Sequence, residues 1–152
     1  MKRSSRLSLA LHALVHLHKQ PDEAMTSATL ATCLMTNPVV VRRVLGELRE
    51  AGIVASTKGH DGGWRLLRPG REISLRHVYA AMGESLLIRT ESDPGDIQCG
   101  IVRTVNSVMG EFLADAEALL AARLERVSLD DLARQATPNP LHPHHHGEQS
   151  HG

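Results

Sequence analysis

Apolar residues along this chain fall mostly at helical spacing, interrupted once by a short hairpin pattern. Leu7, Ala10, Leu11, Leu14, Val15 and Leu17 form a wide stripe that predicts a helix over Arg6–Lys19, with Ser4 or Ser5 as its cap. Gln20-Pro21-Asp22-Glu23 reads as the connecting loop. Ser27–Leu34 is a short helical pattern with Leu30 and Leu34 on one face, and Met35-Thr36-Asn37-Pro38 breaks it. Asn37 suits an N-cap, and Pro38 suits the first turn of a following helix, where its missing N–H costs nothing. That helix, Pro38–Ala51, turns Val41, Leu45 and Leu48 toward a core and leaves Val39, Val40, Arg42 and Arg43 on its other face. Gly52 suits its C-terminal stop. Ile53–Lys58 then reads as a strand, Gly59-His60-Asp61-Gly62-Gly63 as a turn, and Trp64–Arg68 as the returning strand. Helix, turn, helix and hairpin in this order make a winged helix-turn-helix.

Beyond the hairpin, Pro69–Glu72 is a turn, and Ser74 caps a helix to about Met82 that packs through Leu75, Val78, Tyr79 and Met82. Gly83–Gln98 lacks periodicity and reads as a linking loop. From Cys99 or Gly100 to Arg126, Val102, Val105, Met109, Phe112, Ala116 and Leu119 recur at alternating three- and four-residue spacing, the seam of a coiled-coil-like helix. At Arg123 the pattern shifts to Leu120, Leu124 and Val127. A helix this long and apolar beside a small winged helix is most simply a dimerisation helix; the alternative is that it folds back on its own domain. Val127–Leu132 closes the fold with a short capped helix. The expected organisation is a winged helix-turn-helix DNA-binding domain over 1–82 and a linker over 83–98. A dimerisation helix with a closing short helix follows over 99–135, and a disordered His-rich tail over 136–152.

Composition sharpens this picture at a few points. With 152 residues and single Trp, Tyr and Phe residues, the chain is a helix-rich domain with an extension, mainly α with a small β-wing. The net charge of zero divides unevenly: residues 1–76 carry twelve Lys/Arg against six Asp/Glu, and residues 77–152 carry five against eleven. A basic half that coincides with a helix-turn-helix points to double-stranded DNA, although such charges can also merely solvate helix faces. No apolar run is long enough to span a bilayer, which predicts no membrane partner and a cytoplasmic location. Cys33, inside the second helix, is expected to be a small buried hydrophobe. His12 and His16 have chelating i, i+4 spacing without a third ligand nearby, so they and His18 read as surface and rim residues, and no residue is assigned to metal. Five of the ten histidines lie in the tail, a tract able to bind Zn²⁺ or Ni²⁺ weakly. No phosphate loop, nucleophile motif or acid–base carboxylate pair is present, which argues against an enzyme.

The chain resembles the Rrf2 family of bacterial winged helix-turn-helix regulators, relatives of IscR and NsrR, from about Arg3 to Ala133. The resemblance rests on Arg6-Leu7-Ser8, Thr36-Asn37-Pro38 before Val39-Val40-Val41-Arg42-Arg43, Leu48–Val54, the wing Gly59-x-x-Gly62-Gly63-Trp64-Arg65-Leu66, and Val127–Leu132. It implies a homodimeric transcription factor, usually a repressor, with recognition helices in successive major grooves. The DNA-facing set it implies is Ser27, Asn37, Val39, Val40, Arg42 and Arg43, with Lys58, Gly59, Gly62, Gly63 and Arg65 from the wing; Trp64 is expected to anchor the wing. Relatives that sense through an iron–sulfur cluster carry three cysteines before the long helix, whereas Leu86–Ile101 holds Cys99 alone. One thiol is a poor set for a cluster, so no cofactor is expected. Cys99 instead matches the single cysteine of cluster-free relatives, and a thiol at a helix N-terminus can be reactive, which makes it a candidate redox sensor. A metal-responsive regulator using histidines, or a winged-helix adaptor without DNA binding, are the competing readings.

Overall fold

The computed structural model describes residues 5–83 and 100–136. The linker over 84–98 with Cys99, the Ser4 cap and the tail after Ala136 lie outside the described residues. The element order is α1 (Ser5–Lys19), α2 (Ser27–Cys33), α3 (Pro38–Glu50), β1 (Val54–Thr57), β2 (Gly63–Leu66), a 3-10 turn (Gly70–Glu72), α4 (Leu75–Ala81), α5 (Gly100–Glu125) and α6 (Leu129–Gln135). The fold is mainly helical with one two-stranded antiparallel sheet.

Local chemistry fixes most of these ends. Thr26 caps α2 by accepting from the Thr29 N–H, and Asn37 caps α3 by accepting from the Val39 N–H at 2.8 Å. Both α2 and α3 stop in paired carbonyl captures of the Schellman kind: Thr36 N–H donates to Ala31 and Met35 to Thr32, then Ile53 to Leu48 and Gly52 to Arg49. The left-handed position falls to Gly52 in α3 (φ 73°) but to Met35 in α2 (φ 53°). Because the Ile53 N–H is committed to Leu48, the strand starts one residue later than the apolar pattern suggests.

The core gathers Leu14 and Leu17 of α1, Leu30 of α2, Leu45 and Leu48 of α3, Ile53 and Ile73 from the connecting segments, and Leu129. Leu129 belongs to α6, so the closing helix packs into the winged-helix core, chiefly against α1, although it follows α5 in sequence. Its entry is stitched there by an antiparallel bridge between Ser74 and Ser128, with Leu75 N–H donating to Val127 and Leu129 N–H to Ile73. Each bridging serine also caps a helix, in a capping box completed by His77 for α4 and by Asp131 for α6. The Ser128 N–H and Oγ both donate to Asp131 Oδ2. These bonds, led by the backbone one and joined by the Arg134 charge, hold the Asp131 carboxyl below the usual aspartate range.

Cys33 departs from expectation: it is exposed. The buried stripe of this two-turn helix runs through Leu30 and Ala31 toward Leu34, and Cys33 falls beside it on the outer surface. Among the described residues no helix is long and apolar enough to cross a membrane.

Candidate nucleic-acid interface

The cap and proline that start α3 also orient its first two turns. Val41, Val44, Leu45 and Leu48 are buried, which turns Val39, Val40, Arg42 and Arg43 outward. Val39 and Val40 are 51 % and 38 % exposed, so this face sets apolar side chains beside two guanidinium groups. Among the described residues neither Arg42 nor Arg43 is in an ion pair, so both guanidinium groups are available to an anionic or hydrogen-bonding surface. Asn37 is exposed, but its side-chain oxygen is occupied by the α3 cap.

The wing is held to the same core by its tryptophan. β1 and β2 pair in the register Val54–Leu66, Ala55–Arg65, Ser56–Trp64 and Thr57–Gly63. Trp64 is 8 % exposed, and its indole N–H donates to Ser27 Oγ at 2.9 Å. The Arg49 guanidinium lies 5.6 Å from the ring centroid and also donates to Ser56. On its other edge Trp64 pairs with Met25, N–H to carbonyl in both directions. This bridge requires Gly63, whose added Cβ would meet the Met25 backbone at 2.7 Å. Lys58, Gly59 and Arg65 are exposed, while Gly62 and Gly63 are half-buried in the turn.

Ser27 is therefore drawn inward to Trp64, while the α3 face and the wing arginine remain outward. Sequence patterning gave no sign of the Met25–Trp64 bridge, the Arg49 contact or the Ser27 bond, since each joins residues far apart in the chain.

On α5 the apolar seam stays uncovered. Val105, Met109, Phe112, Ala116 and Leu119 are exposed, Phe112 at 66 %, and Val102 is half-buried. The half-buried positions near the end, Leu120 and Leu124, are those to which the pattern shifts, where α5 runs against α4 and Arg76 pairs with Glu125.

His18 was grouped with the rim histidines of α1. It is half-buried, and its Nε2 lies 3.1 Å from Asp130 Oδ1 of α6. Among the described residues no three His, Cys, Asp or Glu side chains are grouped to hold a metal ion.

A family profile described as Rrf2, iron-dependent transcriptional regulator, matches residues 3–135. The chain belongs to the Rrf2 family. The Rrf2 chain is 29 % identical over 129 residues to YwnA of Bacillus subtilis, which is named as an HTH-type transcriptional regulator; the match covers 85 % of this chain and 95 % of that one. A crystal structure assigned to a DNA-binding protein superimposes with TM-score 0.69 at 30 % identity, covering 84 % of this chain and 98 % of the other. The structure of CymR, the global cysteine regulator of B. subtilis, superimposes with TM-score 0.67 at 17 % identity over 90 % of this chain and 99 % of that one, a likeness of fold. Rrf2 proteins are transcriptional regulators that bind DNA, not enzymes.

Proposed function

We propose that this Rrf2 regulator is a homodimeric repressor that reads an operator with the N-terminal half of α3 and steadies it with the wing. The observation that carries the reading is the outward row Val39, Val40, Arg42 and Arg43, held at a capped helix start beside a basic wing. Arginine suits bidentate contact with guanine, and apolar side chains suit the thymine methyl. Lys58 and Arg65 serve backbone phosphates. Replacing Arg42 or Arg43 by Ala weakens binding to the selected operator by about 1–3 kcal/mol where a base contact is lost, read by electrophoretic shift. An adaptor without DNA binding predicts no duplex selected from random sequence.

The uncovered seam of α5 supports the dimer, since an apolar strip of this length on one helix ordinarily meets a partner. Phe112→Glu converts the dimer to monomer in light scattering and weakens operator binding with it. A Phe112→Glu protein that remains dimeric removes α5 from the interface.

We also propose that the dimer works in the cytoplasm and senses through Cys99, the residue before α5, without a cluster. The chain has two cysteines, and Cys33 sits exposed on α2, so the thiolate set does not fit an iron–sulfur cluster. A Cys99 thiolate would attack hydrogen peroxide, forming an S–O bond as the O–O bond breaks, to give the sulfenic acid with hydroxide as the leaving group. Operator release by peroxide that persists in Cys99→Ser sinks this sensor.

A further inference from the structure

Between the outgoing strand of the wing, the end of α1, the 3-10 turn and α6 lies a cleft of about 490 Å³. That is the size range of small-ligand sites. Arg65, Arg68, Arg71 and Arg134 line it, against a single carboxylate, Asp130. Asp130 is already engaged on both oxygens, by His18 through Oδ1 and by Arg134 through Oδ2. It therefore does not neutralise the other three arginines, and among the described residues none of Arg65, Arg68 and Arg71 has an acidic partner. Arg68 is the telling member. Its residue is half-buried, and its Nε is sealed from solvent without a hydrogen-bond partner. That nitrogen is closed to solvent, so the cleft meets Arg68 through the rest of its guanidinium, and the unpaired Nε–H marks a side chain without a partner among the described residues.

His18 and Asp130, also in the lining, are engaged with their neighbours. An added Cβ on Gly70 would lie 2.4 Å from His18 Nδ1, so the imidazole packs directly on that glycine while Asp130 takes its other nitrogen. The cleft is thus lined by three guanidinium groups without an acidic partner and by the mutually paired His18, Asp130 and Arg134.

We propose that this cleft is a phosphate-binding site, with Arg68 and Arg71 as its principal ligands and Arg65 at its rim. A phosphate dianion supplies several acceptor oxygens to guanidinium forks and relieves the mutual repulsion of the three cations. The same chemistry is offered by a free phosphorylated small molecule and by the DNA backbone. The DNA source rests on the operator-binding reading, and the free source does not.

The test uses the full chain, with the Arg68 side-chain Nε–Hε resonance as reporter in a nitrogen–proton correlation spectrum. Its assignment is made by its loss in Arg68→Lys. Inorganic phosphate is titrated against chloride at matched ionic strength, and operator duplex is titrated separately. A saturable shift with inorganic phosphate, weakened about tenfold in Arg71→Gln, establishes a site for a free phosphate-bearing ligand (about 1.4 kcal/mol). A shift with duplex alone, together with a fall of about one in the salt slope of DNA binding by Arg71→Gln, assigns the site to a backbone phosphate. Arg71 is exposed on the 3-10 turn, so even if Arg68→Lys fails to fold, the about tenfold weakening by Arg71→Gln is read by titration calorimetry with inorganic phosphate, which needs no assigned resonance. No response of the resonance to either phosphate source overturns the proposal. If the DNA reading itself fails, no duplex is bound at all, yet the inorganic-phosphate arm still reports on the cleft.

Discussion

Ser27 stands between two roles, and a double-mutant cycle with Trp64 decides between them. In Ser27→Ala the indole N–H loses its acceptor. With Trp64 only 8 % exposed, water has little access to that nitrogen. A buried donor left unsatisfied costs about 1–3 kcal/mol. Ser27 is itself half-buried, which lets some water in, so the cost falls at the lower end, about 1 kcal/mol. Trp64→Phe removes the donor and part of the ring, costing about 2–3 kcal/mol through lost burial and an imperfectly refilled site. In the Phe background Ser27 has no indole to serve, so adding Ser27→Ala there changes little. The coupling energy is then about 1 kcal/mol. Urea unfolding followed by far-ultraviolet circular dichroism reads all four corners, at one protomer concentration because the proposed dimerisation would link to stability. Additive corners, within about 0.3 kcal/mol, would refute the internal role. So would a Ser27→Ala protein of normal stability with sharply weakened operator binding, which returns the hydroxyl to the DNA.

Four other substitutions follow from the same structure. Gly63→Ala drives a Cβ into the Met25 backbone at a φ of 154°; it breaks the wing bridge and destabilises by about 3 kcal/mol. Gly59→Ala at the turn tip meets no atom, so it costs only the backbone strain of its φ of 110° and less than Gly63→Ala, the two compared by urea midpoint. Met35→Gly relieves a left-handed non-glycine residue whose side chain is 84 % exposed, and stabilises by about 0.5–1 kcal/mol in the same assay; destabilisation would mean that the methionine packs. Asp131 has a carboxyl pKa lowered on folding, so its contribution is complete above the unfolded value and is lost as pH falls through the folded one. Asp131→Asn therefore flattens the acid limb of the stability–pH curve. Finally, replacing operator thymines singly by deoxyuridine removes one methyl each. Where Val39 or Val40 meets that methyl the loss is about 1 kcal/mol, and it vanishes in the matching Val→Ala variant.

The legible parts of the fold are those written in local chemistry. Asn37-Pro38 and Ser74 start helices, Gly52 ends one, and the glycines around Asp61 turn the wing, because caps and turns depend on residues within a few positions. Cys33 was misjudged because an apolar neighbourhood in sequence does not say which side of a two-turn helix is covered. The destination of α6 was hidden for a related reason: its burial depends on α1, over a hundred residues earlier, and nothing in Val127–Gln135 names that partner. The arginine cleft has the same origin. From sequence, Arg65 is expected on the DNA-facing wing and Arg68 and Arg71 carry no role, because nothing in their sequence neighbourhood shows that the end of α1 and α6 close around all three.

The antiparallel bridge between Ser74 and Ser128 fastens the end of α5 to the winged helix, and that turns the long helix into a lever. Its 26 residues extend roughly 39 Å from the fastening. A tilt of about 5° there carries the far end through roughly 3.4 Å, the rise of one base-pair step. In the proposed dimer two such levers cross, and their angle sets the gap between the two α3 helices, which must match a helical turn of DNA of about 34 Å. With Cys99 as the proposed sensor, a chemical event beside Gly100, at the long arm, would act with the full mechanical advantage of α5. It need not touch the DNA-reading surface to put the two half-sites out of step.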